Sequence, residues 1–301
     1  MCIAANQKHA YLIMAHNNFE QLQILITLLD DVRNDIYMHI DKKSIGFDPE
    51  TIKTKHAGLI LVDPISVAWG GHSQIQCEML LFKAAAPNHY MYYHVLSGVD
   101  MPLKTQDEIH AFFQEHFGQN FIEYDKLALE TRRFVFRTQY YHLFQNIAGR
   151  KTSFLMRVLR GLDRISLKIQ TKLHFKRKEI VPLYKGANWI SITDEMIQYI
   201  LSCEKIIKKQ FYYSFCGDEV FLQSIAMQSP YRDKINDNYY RAIDWQRGYP
   251  YIYRKEDVPE LLGSSNLFGR KFDSSVDAEA IQMIVEHLSE NCIKCNVRSE
   301  I

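Results

Sequence analysis

The sequence predicts an α/β fold, a mostly parallel central sheet with helices on both faces. Three observations carry that expectation. Strand-length apolar runs alternate with segments of helical periodicity over the first 125 residues, and the alternation resumes after about residue 180. A chain of 301 residues with 47% apolar and 24% charged content can bury a sizeable core and is not of disordered or collagen-like composition.

The elements follow in order. "AYLIMAH" (10 to 16) is a compact apolar run of strand length, and "FEQLQILITLLDDV" (19 to 32) repeats Leu and Ile at helical spacing. "DIYMHID" (35 to 41) alternates toward a terminal aspartate, and "GLILVD" reads as a third strand. "SQIQCEMLLFKAAA" is a helix, "YMYYHVLSGVD" a strand, "TQDEIHAFFQEHF" a helix capped by Thr105, and "NFIEY" a fifth strand. In such sheets ligands sit beyond the carboxyl ends of the strands, where His16, Asp41 and Asp100 fall.

Residues 126 to 180 break the pattern and are expected to form a helical arm inserted in a single domain spanning 1 to 301. From Arg150 to Lys178 ten Lys or Arg stand against one acid, Asp163. Phe154, Leu155, Val158, Leu159, Leu162 and Ile165 fall on one helical stripe. Two readings stay open: a solvated helix packed on the core by its apolar face, or peripheral contact of residues 150 to 178 with anionic lipid head groups or a lipid-linked acceptor. Beyond the arm, "GANWISIT" (186 to 193) is a strand, "DEMIQYILSCEKIIKK" a helix capped near Thr193, and "DEVFLQSIAMQ" a further helix. "YYRAIDW" and "YPYIYR" read as short strands, followed by helices at about 256 to 262 and 276 to 290.

A net charge of +1 gives no global pull toward nucleic acid, so no nucleic-acid partner is expected. The amino terminus has no basic stretch leading into a long apolar run, and no window reaches membrane-spanning length. The six cysteines form no disulfide framework, and Cys292 and Cys295 make one CxxC without a second pair. A cytoplasmic protein, peripheral on the inner membrane face if the arm binds lipid, is the expectation. GxGxxG, GxxxxGK[ST], GxSxG and HExxH are missing, and no Asp-x-Asp offers the metal-binding triplet of many nucleotide-sugar enzymes. A sugar-nucleotide enzyme of this sequence needs protein cations for the departing diphosphate, with no metal and no cofactor expected.

Five stretches carry candidate chemistry. In "SFCGDEVFLQ" (214 to 223) Asp218 and Glu219 start a helix, either as acids in its first turn or as a carboxylate held at a pocket rim as general base. Arg270 and Lys271 follow a glycine in "LFGRKFD", either a surface basic pair or two cations aimed into a site. Trp69 precedes a double glycine in "SVAWGGHSQ", a core tryptophan beside a turn or a face for a uracil or sugar ring. Asp100 ends a strand in "LSGVDMPL", as a turn former or a site residue. Trp189 sits in "GANW".

Taken in order, "AYLIMAHNN", "IYMHIDKKS", "SVAWGGHSQIQCEMLLFKAA", "YYHVLSGVDMPLKT", "KGANWISIT", "GDEVFLQS" and "LFGRKFD" resemble the core-2/I-branching glycosyltransferases, family 14, which also contains the peptide O-xylosyltransferases. The resemblance runs from about residue 10 to 290, and the basic arm is least like the family. It implies a GT-A type nucleotide-sugar fold, a UDP-sugar donor, a glycan acceptor, an inverting mechanism and no metal. By position it implies that Asp41 and Trp69 contact the uridine, that Glu219 is the catalytic base, and that Arg270 and Lys271 hold the diphosphate, most clearly Lys271. For a second diphosphate arginine the gapless match lands on Gly248, which leaves Arg247 or Arg254. Trp189 falls where the acceptor or donor sugar would rest and is grouped with Asp218 and Asp100 on the acceptor side, Asp218 also being expected to cap the helix. Arg133 and Arg137 fall near basic positions of the cleft. N-acetylglucosamine is the first donor expected. Xylose is the alternative, because "GANWISIT" looks more like the xylosyltransferase version, and a non-catalytic glycan-binding module on the same fold is an alternative of another class.

Overall fold

The computed structural model describes residues 6–125, 132–149 and 153–298. The amino-terminal half contains β1 (Asn6–Ala15), α1 (Phe19–Leu28), β2 (Asn34–Ile40), β3 (Gly58–Leu61), α2 (His72–Ala85), β4 (Tyr90–Ser97), β5 (Met101–Pro102), α3 (Gln106–Glu115) and β6 (Asn120–Phe121). The arm supplies α4 (Arg132–Thr138), α5 (Gln145–Ala148) and α6 (Phe154–Lys172). After it come β7 (Ser191–Thr193), α7 (Asp194–Ser202), α8 (Glu204–Phe211), α9 (Asp218–Ala226), β8 (Ile235–Asn236) and β9 (Arg241–Ile243). The chain continues through α10 (Val258–Gly263), β10 (Phe268–Arg270) and α11 (Ala278–Arg298).

Seven strands form the main sheet in the order β3-β2-β1-β4-β7-β6-β8. The β1, β2, β3 and β4 pairings are parallel, β7 runs antiparallel to both β4 and β6, and β6 pairs parallel with β8. This is the mostly parallel α/β sheet expected. A small second sheet, β5-β10-β9, continues the chain beyond β4 and carries Arg270 at its end.

β1 explains why the strands read as unbroken apolar runs. Its side chains alternate across the sheet, and both faces are covered. Tyr11, Ile13 and Ala15 join a core with Leu22, Leu25 and Ile26 of α1, Ile109 of α3, and Ile281 and Ile284 of α11. Ala10 and Leu12 face the opposite core with Ile75, Met79 and Phe82 of α2, Ile197 of α7 and Phe221 of α9. α3 begins where expected, with a capping box in which Thr105 accepts from the Glu108 amide and the Glu108 carboxylate accepts from the Thr105 amide.

Some boundaries differ from the sequence reading. "DEMIQYILSCEKIIKK" forms two helices separated at Cys203, and "YPYIYR" forms no strand: Tyr251 and Tyr253 instead donate single backbone bonds to Asp244 and Lys271. In "GANWISIT" only the last three residues extend the sheet, because Gly186 to Trp189 cross over the start of α9. The side chains of Cys292, Cys295 and Arg133 lie outside what the structure describes, as do residues 126–131 and 150–152 of the arm.

Candidate active site

β1, β2 and β4 end on one edge of the sheet, and the turns that follow deliver His16, Asp41 and Asp100. Asp100 is buried and closes its own turn: its carboxylate accepts from the Ser97 amide at 2.8 Å and the Ser97 hydroxyl at 2.7 Å. The same carboxylate accepts from Nη1 of Arg270 at 2.7 Å, so a residue 170 positions away is fastened to the end of β4. The Arg270 guanidinium lies 3.9 Å from the centre of the Trp189 ring, a cation–π contact with the "GANW" loop. Three sequence candidates, Asp100, Arg270 and Trp189, are thereby joined.

The loop then leads to Glu219. The Gly186 amide donates to the Glu219 carbonyl at 3.0 Å, and Nε2 of Gln223 donates to the Ala187 carbonyl at 2.6 Å. A Cβ at Gly186 would collide with the Glu123 carbonyl, so this crossing is open only to glycine. Glu219 itself is 36% exposed and accepts from Nη1 of Arg137 on α4 at 2.9 Å. Arg137 stands over the Phe215 ring, and Phe215 meets the half-exposed Trp69 indole edge to face at 5.4 Å. Gly70 has φ +73, and a Cβ there would strike Phe215, which accounts for the double glycine after Trp69. One chain of contacts therefore runs from Trp69 through Phe215, Arg137 and Glu219 to Gly186, whose loop carries Trp189 to Arg270 and Asp100.

Asp218 does something other than cap. Gly217 occupies the cap position of α9 and has no side chain to cap with, and the Asp218 carboxylate one residue on is buried and accepts from Nε2 of Gln74 at 2.8 Å. Burial, reinforced by the neighbouring Glu219 charge, pushes the Asp218 pKa up to about 7. Beneath it lies Glu78 of α2, fully buried, reached by Nδ2 of Asn188 at 3.4 Å, its pKa raised well above the carboxylate range by burial and then by Asp218. One oxygen on each, Oδ1 of Asp218 and Oε2 of Glu78, is buried without a hydrogen-bond partner. Glu78 was not singled out from the sequence, yet it lies three residues after Ile75 and four before Phe82, on the apolar stripe of its helix. An acid on a core stripe is the signal that could have found it.

Past the end of β2, Asp41 accepts from the Lys43 amide at 2.9 Å and pairs with its ammonium at 3.1 Å. His16 beside them has its pKa lowered by burial, with Asp41 opposing and Lys43, Arg270 and Lys271 adding to the effect. These five residues therefore share one electrostatic environment at the end of β1. The Lys271 ammonium makes no hydrogen bond or ion pair among the described residues, whereas the Arg270 guanidinium is committed to Asp100 and Trp189. Arg247 is not brought into this group. Its guanidinium is held by Asp244 at 2.5 Å and Asp257 at 2.7 Å and lies over Tyr251. Arg254 is likewise turned away, donating to the Val276 carbonyl at 3.2 Å.

Arg241, also unnoticed in the sequence, is buried below Asp100 and donates to the Tyr239 and Ile190 carbonyls and to the Ser191 hydroxyl. Burial lowers its pKa to about 10, with Asp100 opposing. Among the described residues no group of three or more His, Cys, Asp or Glu side chains is arranged to hold a metal ion, and no helix is long and apolar enough to cross a membrane.

The family model described as Branch, Core-2/I-Branching enzyme, matches residues 9–265. Xylosyltransferase 2 of Rattus norvegicus is 22% identical over 312 residues, covering 93% of this chain and 33% of the relative. A beta-1,3-galactosyl-O-glycosyl-glycoprotein beta-1,6-N-acetylglucosaminyltransferase of Bos taurus is 23% identical over 323 residues, covering 95% of this chain and 70% of that protein. The chain thus spans about a third of the length of the xylosyltransferases it matches. Among solved structures, the apo form of mouse xyloside xylosyltransferase 1 aligns over 87% of this chain and 97% of that one, with 10% identity and a TM-score of 0.38.

Proposed function

This chain belongs to the Core-2/I-branching enzyme family, a family of glycosyltransferases, and on that premise we propose that it is an inverting, metal-independent transferase of N-acetylglucosamine from a UDP-sugar to a hydroxyl of a glycan acceptor. The observation that carries the reading is Glu219, a partly exposed carboxylate paired with Arg137 at 2.9 Å and tied by its own backbone to the loop that bears Trp189. Glu219 accepts the proton of the acceptor hydroxyl as that oxygen attacks the anomeric carbon from the face opposite UDP. The bond from that carbon to the diphosphate oxygen breaks, and its electron pair leaves with UDP. Lys271 meets the charge that develops on the leaving diphosphate. Its lack of an ion-pair partner among the described residues supports that role.

Asp41 and Trp69 contact the uridine in this reading, and Trp189 offers a ring face to a sugar. Arg270 and Asp100 support the Trp189 face from behind, and Asp218 supports Glu219 from within. Arg247 joins the diphosphate only by exchanging its two carboxylates for phosphate oxygens. The whole is one catalytic domain with the arm at 126–180 inserted, acting at the cytoplasmic face of a membrane on a lipid-linked glycan. Xylose is the second donor reading, favoured by the xylosyltransferase relatives.

Calorimetric titration with UDP, UDP-N-acetylglucosamine and UDP-xylose in excess EDTA tests the proposal. Micromolar binding of UDP-N-acetylglucosamine without metal is expected. Preferential binding of UDP-xylose selects the second donor, binding that requires manganese overturns the metal independence, and no binding of any of the three leaves a non-catalytic module.

A further inference from the structure

α6 is held to the protein by the wrong face for an ordinary amphipathic helix. Its buried residues are Asp163, Leu167 and Gln170. The Asp163 carboxylate lies 3.4 Å from the His142 ring and accepts from the Phe144 amide. The Gln170 amide group brackets Tyr141, accepting from its N–H at 2.8 Å and donating to its carbonyl at 3.0 Å. The apolar stripe meanwhile faces out: Phe154 is 81% exposed, Leu155 60%, Val158 41%, Leu162 46%, Ile165 56% and Ile169 53%. Leu173 and Phe175 prolong it past the helix end, also exposed. The reading in which this stripe packs on the core is therefore overturned.

At 100° per residue the helix has three sectors. Phe154, Val158, Leu162, Ile165 and Ile169 share one, the mooring residues share a second, and Arg157, Arg164 and Lys168 occupy the third. The one acid of the helix, Asp163, is on the buried side, so its exposed surface carries no negative charge. Such an outward stripe, sustained over 19 residues or about 28 Å, exceeds the scattered apolar exposure of ordinary surfaces.

We propose that α6 is an interfacial anchor that lies in the plane of an anionic membrane, with its apolar stripe at the acyl boundary and the adjoining cations on lipid phosphates. Charge selects this occupant over a second copy of the chain, since apposing two such helices brings cation rows of the same sign together. A bilayer carrying anionic head groups satisfies both sectors at once. The helix is moored to the segment that also holds the cleft: Arg137 binds Glu219, and Nε2 of Gln145 donates to the Trp69 carbonyl at 2.6 Å. Docking α6 on a surface therefore fixes the cleft relative to that surface. The inference deepens the proposed membrane-held acceptor but does not depend on the donor.

Co-sedimentation of the full chain with phosphatidylcholine vesicles, with and without about 30% phosphatidylglycerol, reads the proposal directly. Binding to the anionic vesicles is expected, at least tenfold stronger than to neutral ones. Ile165→Ser with Ile169→Ser, and separately Arg164→Glu with Lys168→Glu, each lower it about tenfold or more. Thermal midpoint and UDP-sugar titration stay unchanged in both variants, because these side chains are exposed and outside the cleft. Equal binding to neutral vesicles, insensitivity to either pair, or no binding together with dimers by light scattering overturns the anchor. Because UDP-sugar binding is read on the same sample, its failure is told apart from failure of the anchor.

Discussion

Glu219→Gln exchanges one oxygen for an amide and leaves the side chain's size alone, so the remaining oxygen still accepts from Arg137. The expected outcome is an unchanged thermal midpoint, unchanged UDP affinity and transfer reduced a hundredfold or more, measured with radiolabelled donor. Retained transfer removes Glu219 from the base position. The adjacent cations divide differently. Arg270 satisfies a buried carboxylate and Lys271 satisfies none among the described residues. Arg270→Ala leaves Asp100 with Ser97 alone, and urea unfolding should register a loss of about 2 to 3 kcal/mol. Lys271→Ala should leave unfolding within about 0.5 kcal/mol of the parent while transfer slows by about 2 to 4 kcal/mol of transition-state stabilisation. Equal stability losses in the two variants would contradict this division.

The crossing of Gly186–Trp189 over the start of α9 is the element on which the site turns, since it joins the backbone of Glu219 to the ring under Arg270. Gly186→Ala drives a methyl against the Glu123 carbonyl, and a loss of about 1 to 3 kcal/mol in unfolding free energy is expected, with transfer falling beyond what stability explains. Gly161→Ala is the matched control: it sits in α6 with open space around it and should gain up to about 1 kcal/mol. These two glycines also mark what a sequence can and cannot reveal. β1, β2, β4, α2 and α3 were legible because burial on both strand faces and one helix stripe writes itself into apolar spacing, and Thr105 announces its helix through Glu108. The crossing reads as strand because nothing in "GANWISIT" records the Glu123 carbonyl that it must clear. The stripe of α6 was legible as a stripe, but its direction was not: direction is set by His142, Tyr141 and Phe144, which meet Asp163 and Gln170 only in three dimensions. For the same reason the sequence suggests a cap at Asp218, Gln74 being 144 residues away.

At the scale of the whole molecule the buried titratable groups decide how the fold responds to acid. His9, His94 and His110 meet in the core beside β1: Nε2 of His94 lies 3.0 Å from Nδ1 of His9, and the His9 and His110 rings stack at 4.0 Å. Burial is the first cause that lowers all three, His9 and His94 well below 6.5 and His110 to about 4; His72, under α8, also falls to about 4 by burial. These groups are neutral in the folded chain and protonated in the unfolded one below about pH 6.5, so their contribution is complete above that value and is lost as pH falls. Asp218 and Glu78 act in the opposite sense. Their folded pKa values are raised, so the folded chain holds their protons where the unfolded chain has released them, and their contribution declines as pH rises from about 4 toward 7. Six histidines are lowered by burial, His16 and His39 with these four, against three acids raised by it, Glu123 with Asp218 and Glu78, so below about pH 6.5 the unfolded chain holds the excess of protons. Urea unfolding at intervals from pH 4.5 to 8 should therefore show stability falling as pH is lowered, most steeply below about pH 6. Glu78→Gln should steepen the fall, because it removes one of the opposing groups while keeping a hydrogen-bonding partner for Asn188. A profile flat through pH 5 would mean that the histidine cluster takes up protons without unfolding, and that the core between α3 and the sheet admits charge.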